Sequence, residues 1–403
     1  MENVSASEQN YANGRQTATI SVGNEGVKDA SGFTVDVYED DDWIDTVDVN
    51  ESYSTKKELV LQDFMDVEYI PLETNDEFIN QGYVQAVGKK YIIVANYNND
   101  GNIFVYDRSG KAIRKINRKG QGGEEYINFR CVTLDEENNE IFINDHYAKK
   151  IKVYDLEGNF KRSLKQKTEG DSQFYWEIFN YDKENLICYD EINAEIPFLF
   201  VSKQDGSITK EIRPSFKEKK YFFQVLRMEN STRGAKPGPY SRITPFNGNW
   251  ILLEPSSDTI YTLMPDCSLR PFIARTPPIH TMDPEVFLIP KLISNRYYFM
   301  ESIKNVYDFR KEEGFPKTYF VYDTQEKEFS RYIIYNGDYT YKNEFYMVML
   351  TPINAQGESW ATLNAFDLCR DYQKGKLKGK LKEVAATLEE DDNRVVMLVK
   401  SKK

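Results

Sequence analysis

A strand–turn–strand phrase recurs in this chain at a fixed interval, and that regularity limits the folds that the chain can adopt. Gly110, Gly158 and Gly206 lie 48 residues apart, and each follows a strand-like segment such as IFVYDRSG or IKVYDLEG. Apolar residues alternate on both sides of each glycine, which is the pattern of β-strands. A glycine after Ser, Glu or Asp supplies the positive φ that a tight hairpin needs. The phrase therefore predicts a repeated β-hairpin.

The full repeating unit is larger than this hairpin. Two more strand-like segments precede it, separated by the turn signal DEENN at residues 135–139. In the second unit the four predicted strands are Arg130–Leu134, Glu140–Asn144, Lys150–Tyr154 and Phe160–Leu164. A unit of four antiparallel strands that recurs about every 40 to 50 residues is typical of a β-propeller blade.

Six such units can be counted along the chain. We place them in residues 82–116, 130–164, 176–212, 241–266, 291–335 and 345–403, with a Gly- and Pro-rich insertion at 231–240. The sixth unit, built from segments 345–350, 359–366 and 394–403, lacks one strand. We expect segment 66–74 (DVEYIPLET) to supply that strand and close the ring, because closure removes exposed strand edges.

The predicted fold is therefore all-β: a six-bladed β-propeller of four-stranded antiparallel blades, whose ring an N-terminal strand closes. We assign residues 58–403 to this single propeller domain and residues 1–57 to a polar, partly disordered lead-in. One helical insert is expected near the C-terminus, from Asp371 to Leu388. Its apolar residues Leu377, Leu381, Val384 and Leu388 share one helical face, so we expect this helix to pack on a blade.

Charge and hydropathy disfavour two classes of partner. The chain carries a formal net charge of −12, whereas binding to a phosphate backbone relies on clustered Lys and Arg, so we expect no nucleic-acid partner. No stretch of 18 apolar residues occurs, so we expect no transmembrane segment. We expect the protein to be a monomer.

Cysteine and histidine usage gives no motif for a metal site. The four cysteines are far apart and lack the spacing of a zinc site: Cys131, Cys188, Cys267 and Cys369. Small buried thiols are the expected role, and a disulfide between distant positions stays open. Only two histidines exist, His146 and His280, so three histidines cannot ligate one zinc ion.

Other motifs with a chemical meaning are incomplete. The segment Arg118–Tyr126 (RKGQGGEEY) is rich in glycine but lacks the Lys-Ser/Thr of a phosphate-binding loop, so we interpret it as a loop between blades. The acidic run Tyr38–Asp48 lacks the central glycine of an EF-hand. No Gly-x-Ser-x-Gly occurs, and we assign no catalytic residue.

The candidate ligand-binding residues follow the second strand of successive blades, where the blades differ most from one another. They are Asn96, Tyr97, Asp145, His146, Tyr147, Tyr189, Glu191 and Glu254. We expect the loops after these strands to open on one face and to surround the mouth of the central channel. Turn residues that satisfy local hydrogen bonds would show the same composition, so both interpretations stay open.

Segment 132–160 (VTLDEENNEIFINDHYAKKIKVYDLEGNF) resembles an NHL-type propeller repeat. More closely, residues 46–400 resemble the six-bladed β-propeller proteins that are abundant in gut Bacteroidetes, through DVEYIPLET, the two VYD blades, NWILLEPSSDTIYTL and LEEDDNRVVMLVK. The resemblance implies export, often with a lipid anchor, and carries no catalytic residues across because most members are uncharacterised. This chain shows no signal-peptide pattern at its start and no cysteine before Cys131, so a removed leader and an intracellular protein both stay open.

These observations lead to a non-enzymatic binding protein of the cell envelope as the first hypothesis, with a glycan, a peptide or a partner protein as ligand and no cofactor. The alternative is a calcium-dependent hydrolase or lyase, because related six-bladed enzymes hold a metal at the channel mouth with Glu, Asn and Asp oxygens. Glu254 would then be a metal ligand. A purely structural envelope component is the third hypothesis.

Overall fold

The computed structural model describes residues 4–12, 15–22, 33–38, 46–96, 100–166, 175–229, 231–238, 240–354 and 357–402. The N-terminal part holds an antiparallel sheet of β1 (Val4–Ala12), β2 (Arg15–Val22) and β3 (Phe33–Tyr38). After it come β4 (Val47–Asp48), β5 (Lys56–Val60), the short helix α1 (Leu61–Phe64) and β6 (Met65–Pro71).

The next three sheets are four-stranded and antiparallel, and each runs in sequence order. Blade 1 contains β7 (Tyr83–Val87), β8 (Tyr91–Ala95), β9 (Asn102–Asp107) and β10 (Ala112–Asn117). Blade 2 contains β11 (Phe129–Asp135), β12 (Glu140–Asp145), β13 (Lys150–Asp155) and β14 (Phe160–Lys165). Blade 3 contains β15 (Glu177–Asn180), β16 (Asn185–Tyr189), β17 (Phe198–Ser202) and β18 (Ile208–Ile212).

The last three blades carry insertions. The hairpin β19 (Gln224–Met228) and β20 (Ser231–Ala235) precedes blade 4, which contains β21 (Ile243–Phe246), β22 (Asn249–Leu252), β23 (Thr259–Leu263) and β24 (Leu269–Thr276). Blade 5 contains β25 (Val286–Ile293), β26 (Tyr297–Lys304), the small hairpin β27 (Tyr307–Asp308) and β28 (Glu313–Gly314), then β29 (Lys317–Asp323) and β30 (Glu328–Tyr335). Blade 6 contains β31 (Thr351–Pro352), β32 (Glu358–Leu363) and β33 (Val395–Ser401), with α2 (Ala365–Gln373) and α3 (Gly379–Ala385) between the last two.

The predicted six-bladed propeller and its closure are confirmed. The N-terminal strand β6 is the outermost strand of blade 6, where it pairs antiparallel with β33 from Val395 opposite Pro71 to Ser401 opposite Met65. The three turn glycines of the repeat have φ values of 87°, 84° and 78°, as the hairpins require. Gly110 also lies so close to the end of β6 that a Cβ there would meet the Pro71 carbonyl oxygen at 2.0 Å.

Two further N-terminal strands join the ring. Strand β4 pairs in parallel with β24 of blade 4, and β5 pairs in parallel with β30 of blade 5, so both blades are five-stranded. The Lys57 ammonium lies 2.9 Å from the Asp323 carboxylate of blade 5, which fixes β5 in place. The predicted start of the propeller after residue 57 therefore falls inside β5.

Blade 6 differs from its prediction in two places. The segment expected as a strand at 345–350 instead contains a 3-10 turn, Met347–Met349, before the two-residue β31. This turn buries Met347 and Leu350, three residues apart as a 3-10 turn presents them. The single helix expected at 371–388 is two helices, because Gly375 takes a φ of 66° that ends α2.

The core lies between neighbouring blades. Buried residues of blade 1 and blade 2 form one apolar cluster, and the clusters of the other blade pairs continue around the ring. Leu377 and Leu381 of the helical insert are buried in the cluster that also contains Val67 of β6, as the helical spacing predicted. The ring is therefore closed by side-chain packing as well as by strand pairing.

Candidate functional site

The innermost strands of the blades surround a central channel with a cavity volume of about 1130 Å³. Its lining comes from β7, β11, β15 and β31, from Pro290 and Lys291 of β25, and from the loop that leads into β21. We call the end at which the innermost strands begin the channel mouth. Arg130, Glu177 and Arg242 lie at this end, at or next to the starts of β11, β15 and β21.

The channel wall is positively charged although the whole chain has a net charge of −12. Within the part of the chain that the structure describes, seven basic side chains line the cavity: Lys89, Arg130, Lys236, Arg242, Lys291, Lys317 and Arg394. Four acidic side chains line it: Glu136, Glu137, Glu177 and Glu191. Such a local excess of one sign attracts ligands of the opposite sign.

Arg242 is the most deeply buried of these cations at the mouth. Its side chain is 7% exposed, and the nearest carboxylate oxygen in an ion pair with it, from Glu191, is 3.7 Å away. Its guanidinium lies 5.8 Å from the ring centre of Tyr189 and 5.5 Å from that of Phe222. Burial lowers the pKa of Arg242, but nearby Tyr189, Glu177 and Glu191 raise it by more, so the side chain stays charged.

Glu177 connects blade 3 to blade 4 at the mouth. Its two carboxyl oxygens each accept a hydrogen bond from the Arg242 backbone N–H, both at 2.9 Å, and one also accepts from Ile243 at 3.3 Å. Desolvation raises the pKa of Glu177 to about 7, while Arg242 and Arg130 act in the opposite direction. Its charge therefore changes near neutral pH.

A second group of side chains surrounds Trp176. The Arg130 guanidinium and the Lys236 ammonium both lie 3.8 Å from the centre of the Trp176 ring. Lys236 also forms an ion pair with Glu191 at 2.8 Å. Cation–π contacts of this kind orient the ring and keep the cations at the channel wall.

A third group surrounds Tyr240. Lys317 donates a hydrogen bond to the Tyr240 hydroxyl at 2.6 Å, and the Lys291 ammonium lies 3.7 Å from the centre of the same ring. Lys291 is paired with the fully buried Glu301 at 3.1 Å. The pKa of Lys291 is lowered to about 8, chiefly by burial. Glu301 opposes this shift, and the positive charges of Lys317 and Arg242 add to it.

The structure brings only part of the predicted residue set to this site. Tyr189 and Glu191 line the cavity. Glu254 lies just behind them, fully buried, where it accepts hydrogen bonds from Lys219 at 2.9 Å and from the Tyr189 hydroxyl at 3.3 Å. These three residues meet because they follow the second strands of the adjacent blades 3 and 4.

The other predicted residues do not line the cavity. Asn96 accepts a hydrogen bond from the Gln81 N–H, and buried Asp145 accepts from the N–H groups of Ile127 and Ala148, so both stabilise turns. The rings of His146 and Tyr147 contact each other in a tilted arrangement with their centres 4.4 Å apart, and Tyr147 is 65% exposed. Tyr97 lies outside the described residues.

The predicted oxygen ligands do not fit a calcium ion in this arrangement. Glu254 is paired with Lys219, Glu191 with Lys236, and Asn96 and Asp145 lie in other blades. A cation beside each carboxylate opposes a second cation there. Among the described residues no three His, Cys, Asp or Glu side chains are grouped so that they could hold a metal ion.

The residues that the sequence prediction missed carry most of the charge at the mouth. Lys291 and Glu301 lie inside otherwise apolar strands, VFLIPKLI and YYFMESIK. A charge in such a strand is costly to bury unless it is paired, and this signal could have been found in the sequence. Lys236, Tyr240 and Arg242 lie in or after the 231–240 insertion, which has no periodic pattern to predict their position.

Two expectations concern cysteines and membrane spans. All four cysteines are free thiols, and Cys188 and Cys369 are buried. None of the helices in the described part of the chain is both long and apolar enough to span a bilayer.

Comparisons with solved structures support the propeller fold. A Bacteroides fragilis protein described as exported has 16% identity, a TM-score of 0.57, and coverage of 87% of this chain and 99% of its own. At that identity the likeness shows the fold alone. A member of the DUF4221 family from Bacteroides vulgatus has 10% identity, a TM-score of 0.47, and coverage of 85% and 99%, a score too low to support an inference.

The family comparison covers most of the chain. No curated protein matches it. Residues 44–400 match the model of a domain of unknown function, DUF4934, a range that begins before β4 and ends within β33. The NHL-type character of the repeat stays a prediction. On the extent of this match, the chain belongs to the DUF4934 family.

Proposed function

We propose that this protein is a non-enzymatic binding protein of the cell envelope that holds a small ligand, a glycan or a peptide, in its channel mouth. The observation that carries the proposal is the central cavity of about 1130 Å³, whose wall combines aromatic rings with charged groups. Small-molecule sites are typically concave, lined by aromatic and apolar side chains, and fitted with a few polar groups that fix orientation. The description of the structurally similar Bacteroides fragilis protein as exported supports the envelope location.

Binding accounts for the carboxyl groups at the mouth better than catalysis does. Glu191 and Glu254 are engaged by lysines, and both oxygens of Glu177 accept backbone N–H groups of blade 4. A general base needs a lone pair within reach of the substrate proton, whereas these lone pairs already hold the wall together.

The test is a screen of the purified protein against labelled glycan and peptide libraries, with two aromatic variants. Trp176→Ala removes a ring from the channel wall, and Tyr147→Ala removes an exposed ring outside the cavity. We expect the screen to find a ligand that binds the wild type and Tyr147→Ala but does not bind Trp176→Ala. The mass of this ligand should be unchanged after long incubation with the protein.

Two outcomes would contradict the proposal. Binding that is equal in the wild type and in Trp176→Ala would place the ligand elsewhere on the molecule. A bound ligand that returns cleaved or eliminated, at a rate that depends on the channel residues, would make the protein an enzyme.

A further inference from the structure

We infer that the ligand of the channel mouth carries a carboxylate, which the guanidinium of Arg242 recognises. The inference rests on the proposed function and names the chemical class of its ligand. It is carried by a buried donor without a partner, by the charge of the wall, and by the crowding of cations beside Tyr240.

The buried donor is the Nε–H of Arg242. The Arg242 side chain is only 7% exposed, and its Nε atom has no solvent contact. This atom also has no hydrogen-bond partner among the described residues. Of the remaining guanidinium nitrogens, Nη1 donates to the Tyr240 carbonyl at 3.4 Å and Nη2 is 3.7 Å from Glu191, and the guanidinium also contacts the Tyr189 hydroxyl. A buried charged donor without a partner is costly, so such a group in a cavity wall indicates a missing acceptor.

The charge of the wall gives the sign of that acceptor. Glu191 is already engaged by Lys236 at 2.8 Å, so it compensates Arg242 only in part. The wall as a whole carries seven basic and four acidic side chains. The aromatic rings of Tyr189 and Phe222 beside the guanidinium exclude water and so strengthen its attraction for an anion.

The cations near Tyr240 are incompletely neutralised. Lys317 and Lys291 both contact this tyrosine, and Arg242 is near enough for its charge to act on Lys291. Lys291 has its own carboxylate partner, Glu301, and Arg242 shares Glu191 with Lys236. Lys317 donates only to neutral oxygens of Tyr240 and Pro237 among the described residues. An anion placed between Arg242 and Lys317 would relieve this repulsion.

A carboxylate matches the geometry better than a larger anion. The planar guanidinium presents neighbouring N–H groups in a fork that fits two carboxylate oxygens. A single fork with one flanking lysine suits a group with one negative charge, and the cavity is of the size that holds a small molecule or short oligomer.

The test uses acetate, the smallest probe that any carboxylate site must accept. The full chain is melted at about pH 6 in sodium acetate and in sodium chloride, each near 100 mM, and we expect acetate to raise Tm by roughly 2 °C if the site binds it with Kd near 10 mM. The gain should vanish in Arg242→Gln. Lys317→Gln, a milder change if the first variant folds poorly, should reduce it.

A matched control is Lys220→Gln, which changes a half-buried lysine outside the cavity and should keep the full acetate effect. Two probe pairs then separate the sources of a carboxylate: glucuronate against glucose for a sugar acid, and acetylglycine against acetylglycinamide for a peptide terminus. In at least one pair the charged member should bind about tenfold more tightly.

Equal Tm in acetate and chloride for the wild type would overturn the inference, as would an acetate effect that survives in both variants. A larger shift in sulfate at equal ionic strength that is lost in Arg242→Gln would indicate a general oxyanion site and would also overturn it. If a library ligand depends on Trp176 and is neutral, binding in the channel stands and only the carboxylate inference fails.

Discussion

At the scale of single residues, the channel mouth contains buried charged side chains at positions where apolar side chains would stabilise the fold equally well. Lys291 and Glu301 are almost completely buried as a pair in blade 5. Replacing a buried ion pair by well-packed apolar residues is often neutral or stabilising, so such pairs are weak evidence for a role in stability. Lys291 lines the cavity and Glu301 lies behind it, a position that fits the proposed role of the channel in binding.

The pH dependence of binding follows from two pKa values at the mouth. Glu177, with its pKa raised to about 7, loses its negative charge as pH falls, and Lys291, with its pKa lowered to about 8, gains a positive charge. Both changes make the wall more positive at lower pH. We therefore expect the affinity for acetate, measured by titration, to fall as pH rises from about 6 to about 9. Affinity that rises over this range would contradict the assignment.

The same shift at Glu177 has a consequence for the free protein. Because its pKa is raised above the ordinary value of 4.5, the folded state binds the proton more tightly than the unfolded state. Its contribution to stability is fully present below pH 4.5 and is lost as pH rises through about 7. Urea unfolding at a series of pH values measures this loss of stability. In Glu177→Gln the part of the loss that comes from Glu177 should be absent.

A buried ion pair outside the channel joins blades 2 and 3. The Lys203 ammonium is 2.6 Å from the Asp135 carboxylate, and both side chains are 2% exposed. Lys203→Met should lower the free energy of unfolding by about 3 to 5 kcal/mol, because Asp135 would remain buried and charged. Adding Asp135→Asn should restore part of the loss in urea unfolding. If Lys203→Met alone had wild-type stability, the expected loss would be contradicted, and water would have to reach Asp135.

At the scale of elements, the sequence predicted the strands and turns that follow a repeating pattern. The alternating strands, the glycine turns and the closing strand at 66–74 are all present because each is specified by local pattern. Strands β4 and β5 were missed since both are short and have no clear alternation, and their place is set by parallel pairing with distant blades. The 3-10 turn at Met347–Met349 was missed because a short apolar run does not distinguish a strand from a turn.

The site was less predictable than the elements. Position after the second strand selected Tyr189 and Glu191, which line the cavity, and their role in binding stays a prediction. The same rule also selected Asn96 and Asp145, whose polar atoms satisfy turns. Arg242 and Tyr240 reach the channel through an insertion, and no local pattern encodes where an insertion places its side chains.

The different roles of the N-terminal strands can be separated by truncation. A chain that begins at Leu61 loses β4 and β5 but keeps β6, and we expect it to unfold cooperatively at a lower Tm. A chain that begins at Leu72 also loses β6, which exposes the edge of β33 and the apolar cluster around Val67. It should lack a cooperative transition in circular dichroism. Two truncations with equal melting curves would contradict closure by β6.

At the scale of the whole molecule, an acidic chain contains a basic channel, and residues 1–57, with 12 acidic and 4 basic side chains, supply most of its net negative charge. The chain carries −12 overall, while its cavity wall has three more basic than acidic side chains among the described residues. The outer charge favours solubility and repels other anionic surfaces, whereas the channel attracts a small anion. Closure of the ring gives this wall a rigid frame, since six blades pack against one another around it.

We propose that the channel mouth is the binding site of this protein. The most direct measurement is the position of the library-selected ligand in a crystal structure of its complex with the full chain. We predict an intact ligand in the channel, in contact with Trp176 and with an acceptor atom within hydrogen-bond distance of the Arg242 guanidinium. A ligand bound to the outer surface of the blades, with the channel filled only by water, would contradict the account.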